Sequence, residues 1–376
     1  MPIRTCPACS HLLSFDSRVC DGCARAVGFD PMHDRFLALD TEQGIWIGRD
    51  ADDAELVPCH NAAIAGCSWL VEAGTGDDRC LACRLNRTIP DLSVPGVLDR
   101  WKRIEEAKRR MLHGVLRLGL PVLADGTALP VTFDFLYDAA AESGFAPQFT
   151  TGHASGVITL NVIEADDAAR ERIRQTLKEP YRTLLGHFRH EIAHYYWDRL
   201  VQPSLDIEPF RALFGDERQD YVAALQHHYD HGVPAGWEER FISAYAASHP
   251  WEDFAETFAH YLHIVDTLAT IHEAGIGHLT PTGISAINPY DADFAELGAA
   301  WIAMAFKLNE ISRSMGHRDL YPFSLSPVVM LKLDFIHRLI AFAAGRWAPG
   351  TNEGAEIQAM LSALPPASTA SEAHPS

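Results

Sequence analysis

The segment His190-Glu191-Ile192-Ala193-His194 sets two imidazoles four residues apart with a carboxylate between them. On a helix, residues four apart share one face, so both rings can reach a single ion. Glu191 is turned from its neighbour His190 by about 100° around the helix axis. It therefore stands beside the ion as a base and not as a ligand. Zinc held in this way lowers the pKa of a water toward ~7, and a carboxylate then suffices to take its proton. The flanking Phe188, Ile192, Ala193, Tyr195 and Tyr196 are uncharged, as a buried metal helix requires. A catalytic zinc needs a third protein ligand. A histidine-type extension would place glycine at 197 and histidine at 200, but the chain has Trp197 and Leu200. A glutamate from a later helix is the remaining common solution. In the helical segment 251–268, Glu252, Glu256 and His260 form one stripe beside a buried stripe of Phe254, Phe258, Tyr261 and Val265. His249 can cap this helix and Pro250 can occupy its first position. Glu256, central in the stripe and flanked by Ala255 and Thr257, is the expected ligand, with Glu217 as the alternative. His260 and His263 either orient ligands, polarise a substrate carbonyl or pack. His187, one turn before His190, faces the same side as a supporting group.

Cysteine placement indicates further metal chemistry. All eight cysteines fall within the first 83 of 376 residues. Cys6-Pro7-Ala8-Cys9 and Cys20-Asp21-Gly22-Cys23 are two C-x-x-C knuckles able to turn four thiolates toward one zinc at about 2.3 Å. Cys59, Cys67, Cys80 and Cys83 form a second, looser set, in which His60 competes with Cys59. Four protein ligands leave no open position, so both sites are expected to be structural: one or two structural zincs beside one catalytic zinc.

These groups need elements to carry them. Residues 1–95 are turn-rich, with strand-like runs at 35–39 and 44–47. Residues 96–120 form a connecting helix, with Val97, Leu98, Trp101, Ile104, Ala107, Met111, Val115 and Leu118 at helical spacing. The expected catalytic region is 121–347. It contains strands at 131–137 and 156–163, an active-site helix from Pro180 to Val201, and helices at 251–272, 291–315 and 326–346. Residues 348–376 are rich in Pro, Ala and Ser and are expected to be disordered. The fold class is α+β: a four-cysteine ribbon region followed by a mostly helical domain with a small twisted sheet.

The formal net charge is −19, which repels phosphate backbones and disfavours nucleic acid as a partner. No run approaches the ~18 consecutive apolar residues of a membrane helix. The first residues lack the apolar run of a secretion signal, which places the expected compartment in the cytoplasm.

The quoted motifs, together with Cys80-Leu81-Ala82-Cys83-Arg84-Leu85-Asn86-Arg87-Thr88-Ile89-Pro90-Asp91-Leu92, Asp253-Phe254-Ala255-Glu256-Thr257-Phe258-Ala259-His260-Tyr261 and Asp319-Leu320-Tyr321-Pro322-Phe323, resemble a bacterial family of zinc-binding metallopeptidases with an N-terminal zinc ribbon. The resemblance spans about residues 1–345. It implies a zincin-like catalytic domain in which His190 and His194 are ligands and Glu191 is the base. Glu256 falls where glutamate-type zincins place their third ligand. It also implies that strand 156–163 lines the cleft and pairs with extended substrate. Many such enzymes carry an acid four residues after the third ligand; four after Glu256 stands His260. The leading reading is a zinc-dependent peptidase acting on peptide or protein substrates, with the ribbon open to a protein partner. The alternatives are a catalytically inactive zinc-ribbon adaptor and a zinc amidase with a non-protein substrate. Two cysteine sites and one catalytic site predict three zinc ions per chain. Elemental analysis of protein purified without chelator should find more than two, and replacing Cys80 should remove one; disulfides without zinc would exclude this count.

Overall fold

The structure is a computed structural model and describes residues 4–42, 44–50, 53–123, 130–139, 151–177, 182–204, 207–276 and 287–346. The expected disordered tail at 348–376 lies outside the described residues.

The N-terminal region is built from short antiparallel strands and two short helices, α1 (Asn61–Ala65) and α2 (Leu81–Arg84). Its two knuckles have the same backbone: Ser10 and Ala24, each just after a second cysteine, have φ of 62° and 57°. Their amides bond back to the carbonyls of Cys6 (2.8 Å) and Cys20 (2.7 Å). The left-handed conformation costs a non-glycine residue of order 1 kcal/mol, so the surrounding structure must enforce it twice.

Helix α3 (Val97–Arg117) begins where expected. It buries Trp101, Ile104, Met111 and Val115 of the stripe visible in the sequence, and Leu112 in addition. The sheet of the second half has the order Gly152–Ala154, Val157–Asn161, Thr132–Leu136, Asn86–Thr88. The last three strands are parallel, and Gly152–Ala154 is antiparallel to Val157–Asn161. Asn86–Thr88 follows Cys83 directly, so the Cys-rich region contributes an edge strand to the sheet of the second half. Val157–Asn161 pairs along its whole length with Thr132–Leu136 on one side, while Gly152–Ala154 covers Val157, Ile158 and Thr159 on the other. Among the described residues Gly152–Ala154 stands at the edge of the sheet on this side, next to the strand expected to line the cleft.

The remaining helices are α4 (Asp167–Leu177), α5 (Leu184–Tyr196), α6 (Glu208–Phe214), α7 (Tyr221–His231), α8 (Pro250–Glu273), α9 (Phe294–Ser314) and α10 (Pro327–Ala343). A π-helical turn, Trp197–Val201, extends α5. Pro180 lies outside the described residues, and α5 starts only at Leu184. The reason is local: Thr183 is extended, and its hydroxyl accepts the Gly186 amide at 2.9 Å, a capping bond. Helix α8 starts as the sequence indicates, with the His249 side chain accepting the Trp251 amide and Pro250 in the first turn.

Helices α5 and α8 pack against each other, with Tyr196 stacked on Phe258 at 5.6 Å between ring centroids. Ile192, Ala193, Phe254 and Ala255 are fully buried beside them. Helix α10 fixes α8 from the far side through a buried ion pair: Lys332 Nζ donates to Asp253 Oδ2 at 2.6 Å and to the Arg240 carbonyl at 2.7 Å. Burial pushes the Asp253 carboxyl up to about 6 although Lys332 opposes the shift. Lys332→Met would strand that carboxylate, and breaking a buried pair costs about 3–5 kcal/mol. Urea unfolding should register this loss at neutral pH, and the loss should be smaller below about pH 6, where Asp253 holds a proton even with Lys332 present and removing Lys332 strands no charge. An unchanged midpoint at both pH values would exclude the role given to this pair.

Candidate active site and metal centres

On α5, His190, Glu191 and His194 face the first turns of α8. His190 Nε2 and His194 Nε2 lie 3.1 Å apart. Glu252 Oε2 is 3.0 Å from the first and 3.5 Å from the second. A tetrahedral ion with ligand bonds near 2.05 Å separates its ligand atoms by roughly 3.3 Å, so the triangle has the dimensions of one face of such a site. Glu252 Oε2 is buried and has no hydrogen-bond partner among the described residues, as an atom reserved for a cation would be. Burial opposes ionisation of Glu252, but the charges of His194 and His190 hold its pKa well below the usual carboxylate range. Its other oxygen accepts the Tyr221 hydroxyl at 2.6 Å.

Glu256 takes a different place. Its Oε1 lies 2.7 Å from His190 Nδ1, the far side of the ring, and its Oε2 accepts from Ser243 Oγ at 2.6 Å. A carboxylate on Nδ1 fixes the tautomer that leaves Nε2 free to ligate. The geometry therefore does not match the expectation of Glu256 as third ligand: Glu252, one turn earlier on the same stripe, meets the two Nε2 atoms. Glu217, the sequence alternative, is clamped by Arg211 at 2.6 and 3.0 Å and is not among the residues converging on the imidazoles.

Glu191 Oε1 lies 3.1 Å from His187 Nε2, while its Oε2 is buried without a hydrogen-bond partner among the described residues. Burial would raise its pKa. The hydrogen bond and charge of His187, with the charges of His190 and His194, outweigh burial and bring it to about 2. The His194 ring lies against Trp251 at 3.7 Å between centroids, with His153 of the edge strand at 6.4 Å. Tyr245 stands 5.9 Å from the His190 ring. His260 bonds Tyr321 Oη at 2.9 Å and packs on Phe323; His263 pairs with Arg189. Both belong to the packing of α8. Tyr221, Ser243 and Trp251 escaped the sequence reading. Of these, Trp251 had a local signal, since it adjoins Glu252 on the first turn of α8.

The cysteines form the two expected groups. Sulfur separations are 3.9 Å for Cys6–Cys23 and 3.6 Å for Cys9–Cys20 in the first. In the second they are 3.7 Å for Cys67–Cys80 and 4.0 Å for Cys67–Cys83. A tetrahedral zinc with 2.3 Å bonds sets its sulfurs roughly 3.8 Å apart, whereas a disulfide needs about 2.05 Å. Cys59 is the fourth member of the second group. His60, its competitor in the sequence, is exposed and paired with Asp78 at 2.9 Å. Arg109 of α3 is buried beside the second group. Burial disfavours its charge, but Cys67 and Asp16 raise its pKa.

A family model described as "Putative zinc-binding metallo-peptidase" matches residues 97–339, and a zinc-ribbon domain model matches residues 3–94. The chain is similar to uncharacterized proteins of Mycobacterium tuberculosis and Mycobacterium bovis. Each is 39% identical over 346 residues, which is 92% of this chain and 96% of the relative. No solved structure matches the chain. No helix among the described residues is long and apolar enough to cross a membrane. The match over most of the helical half, which holds the three converging donors, means that the chain belongs to the putative zinc-binding metallo-peptidase family and bears a zinc ribbon ahead of the peptidase segment.

Proposed function

We propose that this protein is a zincin-type peptidase that hydrolyses peptide bonds at the site formed by α5 and α8. His190, His194 and Glu252 hold the catalytic zinc. The observation that carries the reading is the convergence of the three donor atoms of His190, His194 and Glu252, with Glu191, next in sequence to His190, holding a buried Oε2 that has no hydrogen-bond partner among the described residues. When bound there, zinc supplies Lewis acidity and brings the pKa of a water toward ~7. Glu191 takes the proton of the attacking water at Oε2 as the peptide carbonyl is attacked, and passes it to the leaving amine. Glu256 and Ser243 keep His190 oriented, and Tyr221 keeps Glu252 turned toward the imidazoles. With Glu252 as the ligand, the acid four residues on is Glu256, and the family spacing that fails at His260 is restored. The two four-cysteine groups each take a structural zinc.

Three variants separate these roles. Glu252→Ala should lose the catalytic zinc while the cysteine sites stay filled. Glu256→Ala should keep the site but weaken its zinc affinity by roughly 10–100-fold, the usual effect of removing a group that orients a ligand. Glu191→Gln should retain all zinc while hydrolysis of fluorescein-labelled casein falls by about 10²–10⁴-fold. Elemental analysis and initial rates read all three. Full zinc occupancy in Glu252→Ala would return the third position to another residue, and full activity in Glu191→Gln would exclude the mechanism.

A further inference from the structure

His187 lies one turn before His190 and joins two carboxylates from different parts of the fold. Its Nε2 is 3.1 Å from Glu191 Oε1, and its Nδ1 is 2.6 Å from Glu164 Oε2. Glu164 sits in the 3-10 turn Val162–Ala165, directly after strand Val157–Asn161. Its other oxygen accepts the Thr151 hydroxyl at 2.8 Å, beside the edge strand Gly152–Ala154. Arg182 approaches Glu164 Oε2 at 3.8 Å. Both carboxylates are buried.

We infer that His187 is a positioning residue: braced by Glu164, it grips one oxygen of Glu191 so that the other is presented to the water that Glu191 deprotonates. The inference rests on the peptidase reading above. The terminal torsion of a glutamate is broad, so an unrestrained carboxylate would spread over many orientations. A single donor on Oε1 removes that freedom and leaves Oε2 without a protein partner, as observed. To bond acceptors on both sides, the imidazole must carry both protons. Burial opposes that charge, yet the two carboxylates raise the His187 pKa to about 9, so both donors are present at neutral pH. The brace also ties the base to the sheet. Thr151 and Glu164 flank the edge strand, and His187 transmits their position to Glu191 across one turn of α5.

The test uses the zinc-loaded full chain and acetohydroxamate, whose N–OH proton passes to the same carboxylate that serves as base. Affinity is measured by calorimetry for wild type, His187→Gln, Glu164→Gln, Glu191→Gln and the double variant His187→Gln/Glu191→Gln, with zinc content and Tm as controls. His187→Gln should weaken binding and lower kcat on labelled casein by roughly 10-fold, the scale of other outer groups at metal sites. KM and zinc content should stay near wild type. Glu164→Gln should have the same sign with a smaller effect. In the Glu191→Gln background the His187 change should add nothing, because groups acting through one residue are not additive. Wild-type affinity in both His187→Gln and Glu164→Gln, or an equal further loss in the Glu191→Gln background, would overturn the inference. If Glu191→Gln itself bound and turned over like wild type, the base assignment would fall, and this inference with it. That result is distinct from failure of His187 alone.

Discussion

Helices α5 and α8 can bring their polar stripes together because their apolar stripes, Ile192 and Tyr196 against Phe254 and Phe258, lie beside them and exclude water. Every distance at the site inherits its value from this packing. One turn of sliding along α8 would put Glu256 where Glu252 stands. The fold therefore fixes α8 from several directions: Pro250 and His249 at its start, Lys332 on Asp253, and Arg189 on Asp266 further along.

The chemistry needs charges in a place where charges are costly. Glu164, Glu191, Glu252 and His194 are buried, and His187 and His190 are partly buried beside them. An incomplete network of this kind would be worse than an apolar one. The protein meets the cost by alternation: Glu164, His187 and Glu191 form one run, and Glu252, His190 and Glu256 form another. Tyr221, Ser243 and Thr151 cap the outer carboxylate oxygens. Within these two runs, the carboxylate oxygens without a hydrogen-bond partner among the described residues are Glu191 Oε2 and Glu252 Oε2.

Much of this was legible in the residues alone. The HExxH helix, the cysteine grouping, α3 and the start of α8 follow from spacing and capping that act within a few residues. The choice between Glu252 and Glu256 did not, because side chains one turn apart share a face and spacing cannot rank them. Only the axial position of α8 against α5 decides. The pair itself was a clue: an acid four residues before Glu256 fits a ligand followed by its supporting acid better than Glu256 followed by His260. Tyr221, Ser243 and Glu164 come from separate segments, and a single sequence carries no sign that they meet. Strand Val157–Asn161 was found, but its burial inside the sheet depends on the short strand Gly152–Ala154, too brief to register as a pattern.

The two halves of the chain are not separable pieces set side by side. Asn86–Thr88 leaves the second cysteine group and becomes a strand of the sheet formed by the second half. From α3, Glu105 accepts Asn86 Nδ2 at 2.9 Å and Lys108 Nζ at 2.8 Å, while Lys108 lies 5.3 Å over Phe133 and Phe135. One continuous core runs from Cys6 to Ile340. A ribbon grafted from elsewhere would arrive without the strand, and a catalytic half transferred alone would expose Trp101, Ile104 and an unmatched Arg109. Separating the halves at this junction would break a shared sheet and a shared core. The mycobacterial relatives, which align over 96% of their own length, span both halves.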